Sequence, residues 1–206
     1  MRGVRQIFWR LVFMTVFAAS VAAGVVLWRS ADPIYQAQTW AALGRFSQYD
    51  SLISEVAEKT KLDPALVKAM VWRESRFRSN KVGGAGERGL MQVGEAAAHD
   101  WAAANRIETF MFTDLFDART NLLAGTWYLQ RALEHWKDRD DPVPFALAEY
   151  NAGRKRVDRW AASGANAAAM MQTADIATTR QYVEDIMRRA RRYREAARKD
   201  EEAATH

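Results

Sequence analysis

Charged and apolar residues come in blocks at the start of the chain. Arg2, Arg5 and Arg10 precede an uncharged stretch from Leu11 to Trp28, and Arg29 and Asp32 follow it. As a helix that stretch is about 27 Å long, close to the roughly 30 Å hydrocarbon core of a bilayer. Ile7, Phe8 and Trp9 can extend it, because Arg10 can snorkel toward the headgroups. The leading arginines predict a cytoplasmic N-terminus with everything after Trp28 outside. A cleaved signal peptide is the competing reading, with Ser20 and Ala22 suitably spaced. The apolar run continues past that site to Trp28, so a retained single-pass anchor over 1–29 is the expectation, with the remainder in the periplasm. Cleavage would leave the remainder secreted.

Beyond the anchor the polar and apolar positions follow a helical period. Residues 30–45 read as a linker, 46–194 as a helical domain and 195–206 as a charged tail. Ser47 to Thr60 places Leu52, Ile53, Val56 and Ala57 on one side of a helix. Asp63-Pro64 starts the next, with aspartate as cap and proline in the first turn, and that helix runs to about Arg76. Gly83, Gly84, Gly86, Gly89 and Gly94 then predict tight backbone turns, with short strands left open. Asn121 to Lys137 is a helix with Leu122, Leu129 and Leu133 in phase. Val143 to Tyr150 is another, ended at Gly153 by a left-handed cap. Helices over Arg154 to Ala161 and from Thr178 onward follow, the last fraying from Lys199 to His206.

Composition narrows the chemistry. The 206 residues are 49% hydrophobic and 27% charged, which excludes wholesale disorder. Cysteine is absent, excluding disulfides, thiol nucleophiles and thiolate metal sites. Thirty Lys and Arg against 25 Asp and Glu give +5, which suits an anionic partner without choosing among nucleic acid, membrane surface and wall polymer. His99, His135 and His206 are scattered, so neither a metal nor a cofactor is expected.

Glu74 is the first candidate for chemistry. It lies within a roughly 100° arc with Val67, Met70 and Val71, so its carboxyl continues an apolar stripe. It also sits near the end of its helix, where the dipole disfavours negative charge. Both effects raise its pKa, and a carboxylic acid protonated near neutrality is the proton donor that glycosidic cleavage requires. The alternative is a solvated carboxylate, or one paired with Arg76 or Arg78. Gly89-Leu90-Met91-Gln92 combines close backbone approach with an amide that both donates and accepts, or is a turn leading into core. Tyr150-Asn151-Ala152-Gly153 sets polar side chains at a helix end, or is an ordinary cap.

Taken in order and spacing, Glu74-Ser75, Gly89-Leu90-Met91-Gln92 and Tyr150-Asn151-Ala152-Gly153 resemble the lytic transglycosylases of the soluble-lytic-transglycosylase type, a glycoside hydrolase family. Leu115-Phe116-Asp117 with Asn121, Gly125 and Tyr128-Leu129, and Ile176, Arg180 and Tyr182-Val183, look like flanking elements of the same family. The resemblance implies a mainly α, lysozyme-like domain of the goose-type architecture, here behind an N-terminal transmembrane helix. It implies that Glu74 is the single catalytic acid and base, and that Ser75, Met91, Gln92, Tyr150, Asn151 and Tyr182 are substrate-side residues. Ser75 would support the helix end and Tyr182 would touch Glu74. The implied substrate is peptidoglycan, cut at the β-1,4 bond between N-acetylmuramic acid and N-acetylglucosamine. The muramic 6-hydroxyl attacks, leaving a 1,6-anhydro end. Departures from the family pattern stand at Gly83, Glu87, Gly94 and Thr178, where serine, alanine, methionine and glutamate are usual.

No second acid carries a matching motif, and Glu87 and Glu149 are candidates by proximity only. Alternatives are a hydrolytic muramidase and a non-catalytic wall-binding module of a secretion or division complex. Expected partners are glycan strands, the inner membrane and a cell-envelope complex. Nucleic acid is not expected: Arg188, Arg189, Arg191, Arg192 and Arg194 are interspersed with acidic residues and read as a solvated face. Of Trp72, Trp101, Trp127, Trp136 and Trp160, about four in five are expected in the core, since helical aromatics chiefly supply burial.

Overall fold

In the computed structural model the described residues are 2–29, 46–162, 166–173 and 177–205. They form two units, Met1–Gln48 and Tyr49–His206. The first contains helix α1 (Arg2–Arg29), in which Phe13, Met14, Val16 and Phe17 are exposed. The sequence predicts a membrane span here. Among the described residues no helix is long and apolar enough to cross a membrane. The predicted linker over 30–45 lies outside the described residues, as does Ile176.

The second unit is helical: α2 (Asp50–Lys59), α3 (Pro64–Ser75), α4 (Glu95–Ala104), a 3-10 turn (Phe112–Phe116), α5 (Ala118–His135), α6 (Pro142–Ala152), α7 (Arg154–Ala161), α8 (Ala167–Thr173) and α9 (Ala177–Ala204). The centre is α3. Asp63 caps it through Ala65 N–H at 2.9 Å, and Pro64 occupies its first turn, as the sequence predicts. Leu66, Val67, Ala69, Met70, Val71, Trp72 and Ser75 are all buried. A helix apolar on nearly every side must be surrounded, and α2 and α9 pack against it while α5 and α6 pack on each other. The apolar stripe read from sequence is thus part of a fuller core.

One predicted boundary changes. The tail predicted to fray from Lys199 remains helical to Ala204, with Arg198 and Glu202 paired one turn apart at 3.3 Å. Helix α4 has no clear apolar period, being carried by alanine propensity around buried Ala98, Trp101 and Ala102. In the glycine-rich region the extended pairings are two isolated bridges, Val82 with Arg88 and Arg88 with Val93. Four of the five tryptophans named above are buried, and Trp127 is half-exposed with Arg131 over its ring at 4.8 Å.

Candidate active site

Glu74 occupies the penultimate position of α3, where the chain must reverse. Arg76 caps the helix with φ 53°, and Phe77 follows at φ 59°. Two successive left-handed non-glycine residues are costly. Phe77 is buried, which holds the turn in place. The reversal returns Lys81 to the helix end, where its ammonium donates to the Glu74 carbonyl. This satisfies a terminal carbonyl that the helix leaves free.

The Glu74 carboxyl opens onto a cleft of about 570 Å³ whose walls include Lys81, Glu87, Gln92, Tyr150 and Asn151. Tyr182, from α9, donates its hydroxyl to Glu74 Oε1 at 2.6 Å. Burial pushes the Glu74 carboxyl up to about 7, opposed by the Tyr182 hydrogen bond and by the Lys81 and Arg73 charges. Burial also holds Tyr150 and Tyr182 well above the usual phenol range, so both stay protonated donors. Arg73 lies over the Tyr182 ring at 5.4 Å and faces Asp185 at 3.7 Å, which fixes that ring from behind.

The opposite wall is the loop ahead of α4. Gly89 has φ +79°, and a Cβ there would lie 2.6 Å from Asn121 Cγ. Only glycine accepts both constraints. Buried Asn121 ties this loop to α5: it accepts from Met91 N–H at 2.8 Å and donates to the Arg88 and Leu115 carbonyls at 2.7 and 2.9 Å. Gln92 adopts φ 50°, and its amide nitrogen donates to the Gly89 and Lys81 carbonyls at 2.9 and 3.2 Å. The end of α6 closes the cleft. Tyr150 donates to the Met91 carbonyl at 3.0 Å, and its ring meets Tyr128 edge-on at 5.8 Å. Asn151 accepts from Thr179 at 2.8 Å and remains exposed.

The geometry separates the residues named from sequence. Glu74, Gln92, Tyr150 and Asn151 line the cleft, and Tyr182 reaches it through Glu74. Ser75 is fully buried and donates to the Val71 carbonyl at 3.1 Å, so it steadies the helix end and has no surface for substrate. Met91 is also fully buried, its sulfur against Gly125, and it contributes through its backbone. Both leave the set of substrate contacts because small or apolar side chains beside the cleft are drawn into the core. Glu149 is removed as a second acid: buried, it accepts from Trp136 Nε1 at 2.8 Å and Arg154 Nε at 2.9 Å. Sequence reasoning missed Lys81, whose position depends on the left-handed turn after α3. A lysine seven residues past a helix-end glutamate, ahead of a glycine run, was the available signal.

The cleft thus joins an acid poised near neutrality to walls of amide and hydroxyl groups, which suits protonation of a bridging oxygen in a polyhydroxylated ligand. The transglycosylase SLT domain matches residues 51–173. The membrane-bound lytic murein transglycosylase F of Desulfosudis oleivorans is 30% identical over 112 residues, covering 53% of this chain and 23% of that protein. Lysozyme g of Takifugu rubripes is 26% identical over 160 residues, covering 73% of this chain and 76% of that one. The structure of an inactive mutant of the lytic transglycosylase Slt from Pseudomonas aeruginosa aligns with TM-score 0.65 at 26% identity, over 77% of this chain and 26% of that one. The chain spans about a quarter of the length of the Desulfosudis and Pseudomonas transglycosylases. With its helical second unit, its cleft and this match over more than half its length, the chain belongs to the transglycosylase SLT domain family, within the lysozyme-like superfamily.

Proposed function

We propose that the protein is a peptidoglycan lytic transglycosylase. The observation that carries this is Glu74: a carboxyl held at about 7 by burial, gripped by Tyr182 and open to the cleft. In the protonated form it gives its proton to the oxygen bridging N-acetylmuramic acid to N-acetylglucosamine as that bond breaks. The resulting carboxylate then takes a proton from the muramic 6-hydroxyl, whose oxygen bonds to the anomeric carbon and closes the 1,6-anhydro ring. One carboxyl serves both steps, and the proton count closes without water. The Tyr182 hydrogen bond favours the carboxylate formed between them. Gln92, Tyr150 and Asn151 supply polar groups to position the sugars. Digestion of purified sacculi, read by mass spectrometry of the soluble fragments, tests the proposal: anhydro ends support it and their absence refutes it.

We further propose that α1 tethers the domain to the inner membrane, with the catalytic unit in the periplasm. The uncharged stretch from Leu11 to Trp28 behind three arginines supports this. Recovery of the full chain in alkali-washed membranes supports a retained anchor. An N-terminus mapped near Ala22 by sequencing supports cleavage instead.

A further inference from the structure

Gly83 and Glu87 share one space. A Cβ on Gly83 would collide with Glu87 Oε2 and would lie 2.9 Å from Gln92 Oε1. The missing side chain at 83 is therefore what admits the Glu87 carboxyl to the cleft wall beside Gln92. The loop fixes it there. Gly83 N–H donates to the Glu87 carbonyl at 2.7 Å, Gly86 N–H to the Gly83 carbonyl at 3.2 Å, and Ala85 N–H to Glu87 Oε2 at 3.1 Å. Glu87 is half-buried, and its charge is felt by both Glu74 and Lys81 across the cleft. The other acids nearby differ. Glu149 is locked between Trp136 and Arg154, and Glu95 is largely exposed beside His99.

A cleft with two separately held carboxyl groups, Glu74 on the helix end and Glu87 on the glycine loop, has the parts for water-mediated glycoside cleavage. We propose that Glu87 is a second catalytic residue, the base that activates water for a hydrolytic branch of the reaction. This rests on the transglycosylase reading for the substrate and for Glu74. The water oxygen bonds to the anomeric carbon as the glycosidic bond breaks. Glu74 gives its proton to the leaving oxygen, and Glu87 takes one proton from the water. The products are a free 4-hydroxyl and a reducing muramic end, and solvent returns the two carboxyl groups to their starting states. The enzyme then makes two kinds of end, anhydro and reducing, in a ratio set by Glu87.

The test uses sacculi first reduced with borohydride, digested by the full chain, then treated with borodeuteride so that each new reducing end carries deuterium. Mass spectrometry gives the ratio of deuterated to anhydro ends. Wild type is expected to release both. Glu87→Gln is expected to lower the ratio about a hundredfold, the loss of a positioned base. Gly83→Ala, which retains the carboxylate but fills its space, is expected to lower it as well. Wild type giving anhydro ends alone overturns the proposal, as does an unchanged ratio in a folded Glu87→Gln. Deuterated ends without anhydro ends support Glu87 while refuting the transglycosylase reading. A folded wild type releasing neither kind of end refutes both.

Discussion

Tyr182 donates to Glu74 Oε1 at 2.6 Å across 108 positions of sequence. The bond joins α3 and α9, which pack against each other in the core of the second unit, so packing and acid strength are linked. Tyr182→Phe removes a donor that favours the ionised carboxylate, so the Glu74 pKa rises further. The alkaline limb of the activity profile is expected to move up by about one to two pH units, since a hydrogen bond to a charged group is worth about 1.5–3 kcal/mol. Turnover is expected to fall because the carboxylate intermediate loses its partner. Rates of sacculus digestion across pH check both.

Glu74 also makes stability depend on pH. Its folded pKa, about 7, is above the ordinary value of 4.5. The folded state therefore holds a proton that the unfolded chain has released between those values. The contribution is full below the unfolded value and is lost as pH rises through about 7. Glu74→Gln cannot lose that proton, so its stability relative to wild type should increase by on the order of 3 kcal/mol between about pH 4 and pH 8. Denaturant unfolding at the two pH values measures it, and a constant difference would contradict the burial of this carboxyl.

Asn121 and Gly89 form one contact. Asn121→Ala leaves the Met91 N–H and the Leu115 carbonyl without a partner, while the Arg88 carbonyl keeps the Val93 N–H at 3.0 Å. At about 1–3 kcal/mol for each buried unsatisfied group, a loss of at least about 2 kcal/mol is expected. Gly89→Ala drives a methyl into the same asparagine and strains a positive φ, with a comparable loss. Because both disrupt one junction, the double variant should lose less than the two separate effects combined. Thermal or denaturant unfolding of the four proteins tests this.

Glu149 contributes to stability and not to chemistry. Glu149→Ala removes the partner of the buried Trp136 indole and of the Arg154 guanidinium, and about 2 kcal/mol of stability is expected to go with them. Turnover per folded molecule should hold near wild type. Loss of turnover at full folding would restore Glu149 as a second acid.

Local chemistry was readable along the chain, and long-range geometry was not. The start of α3 follows from Asp63-Pro64 because a cap and a proline act within one turn. Arg154–Ala161 has the extent its pattern suggests. Glu74 announced itself by continuing an apolar stripe, and burial does raise its pKa. Its bond to Tyr182 has no periodic signature, and only the resemblance to lytic transglycosylases pointed to it. Ser75 and Met91 are both fully buried, and spacing does not reveal which side chains beside a cleft the core draws in. Lys81 and Glu87 depend on consecutive left-handed residues at Arg76 and Phe77 and on the space at Gly83. Those features arise from tertiary packing, which overrides local preference.

Side-by-side digestion of purified sacculi by wild type and by Glu74→Gln, matched for folding by circular dichroism, tests the chemistry most directly. Mass spectrometry of the released fragments should show 1,6-anhydromuramic ends from wild type and a loss of at least about a hundredfold in Glu74→Gln. Equal release of those ends by the folded variant would contradict the assignment of Glu74 as the acid.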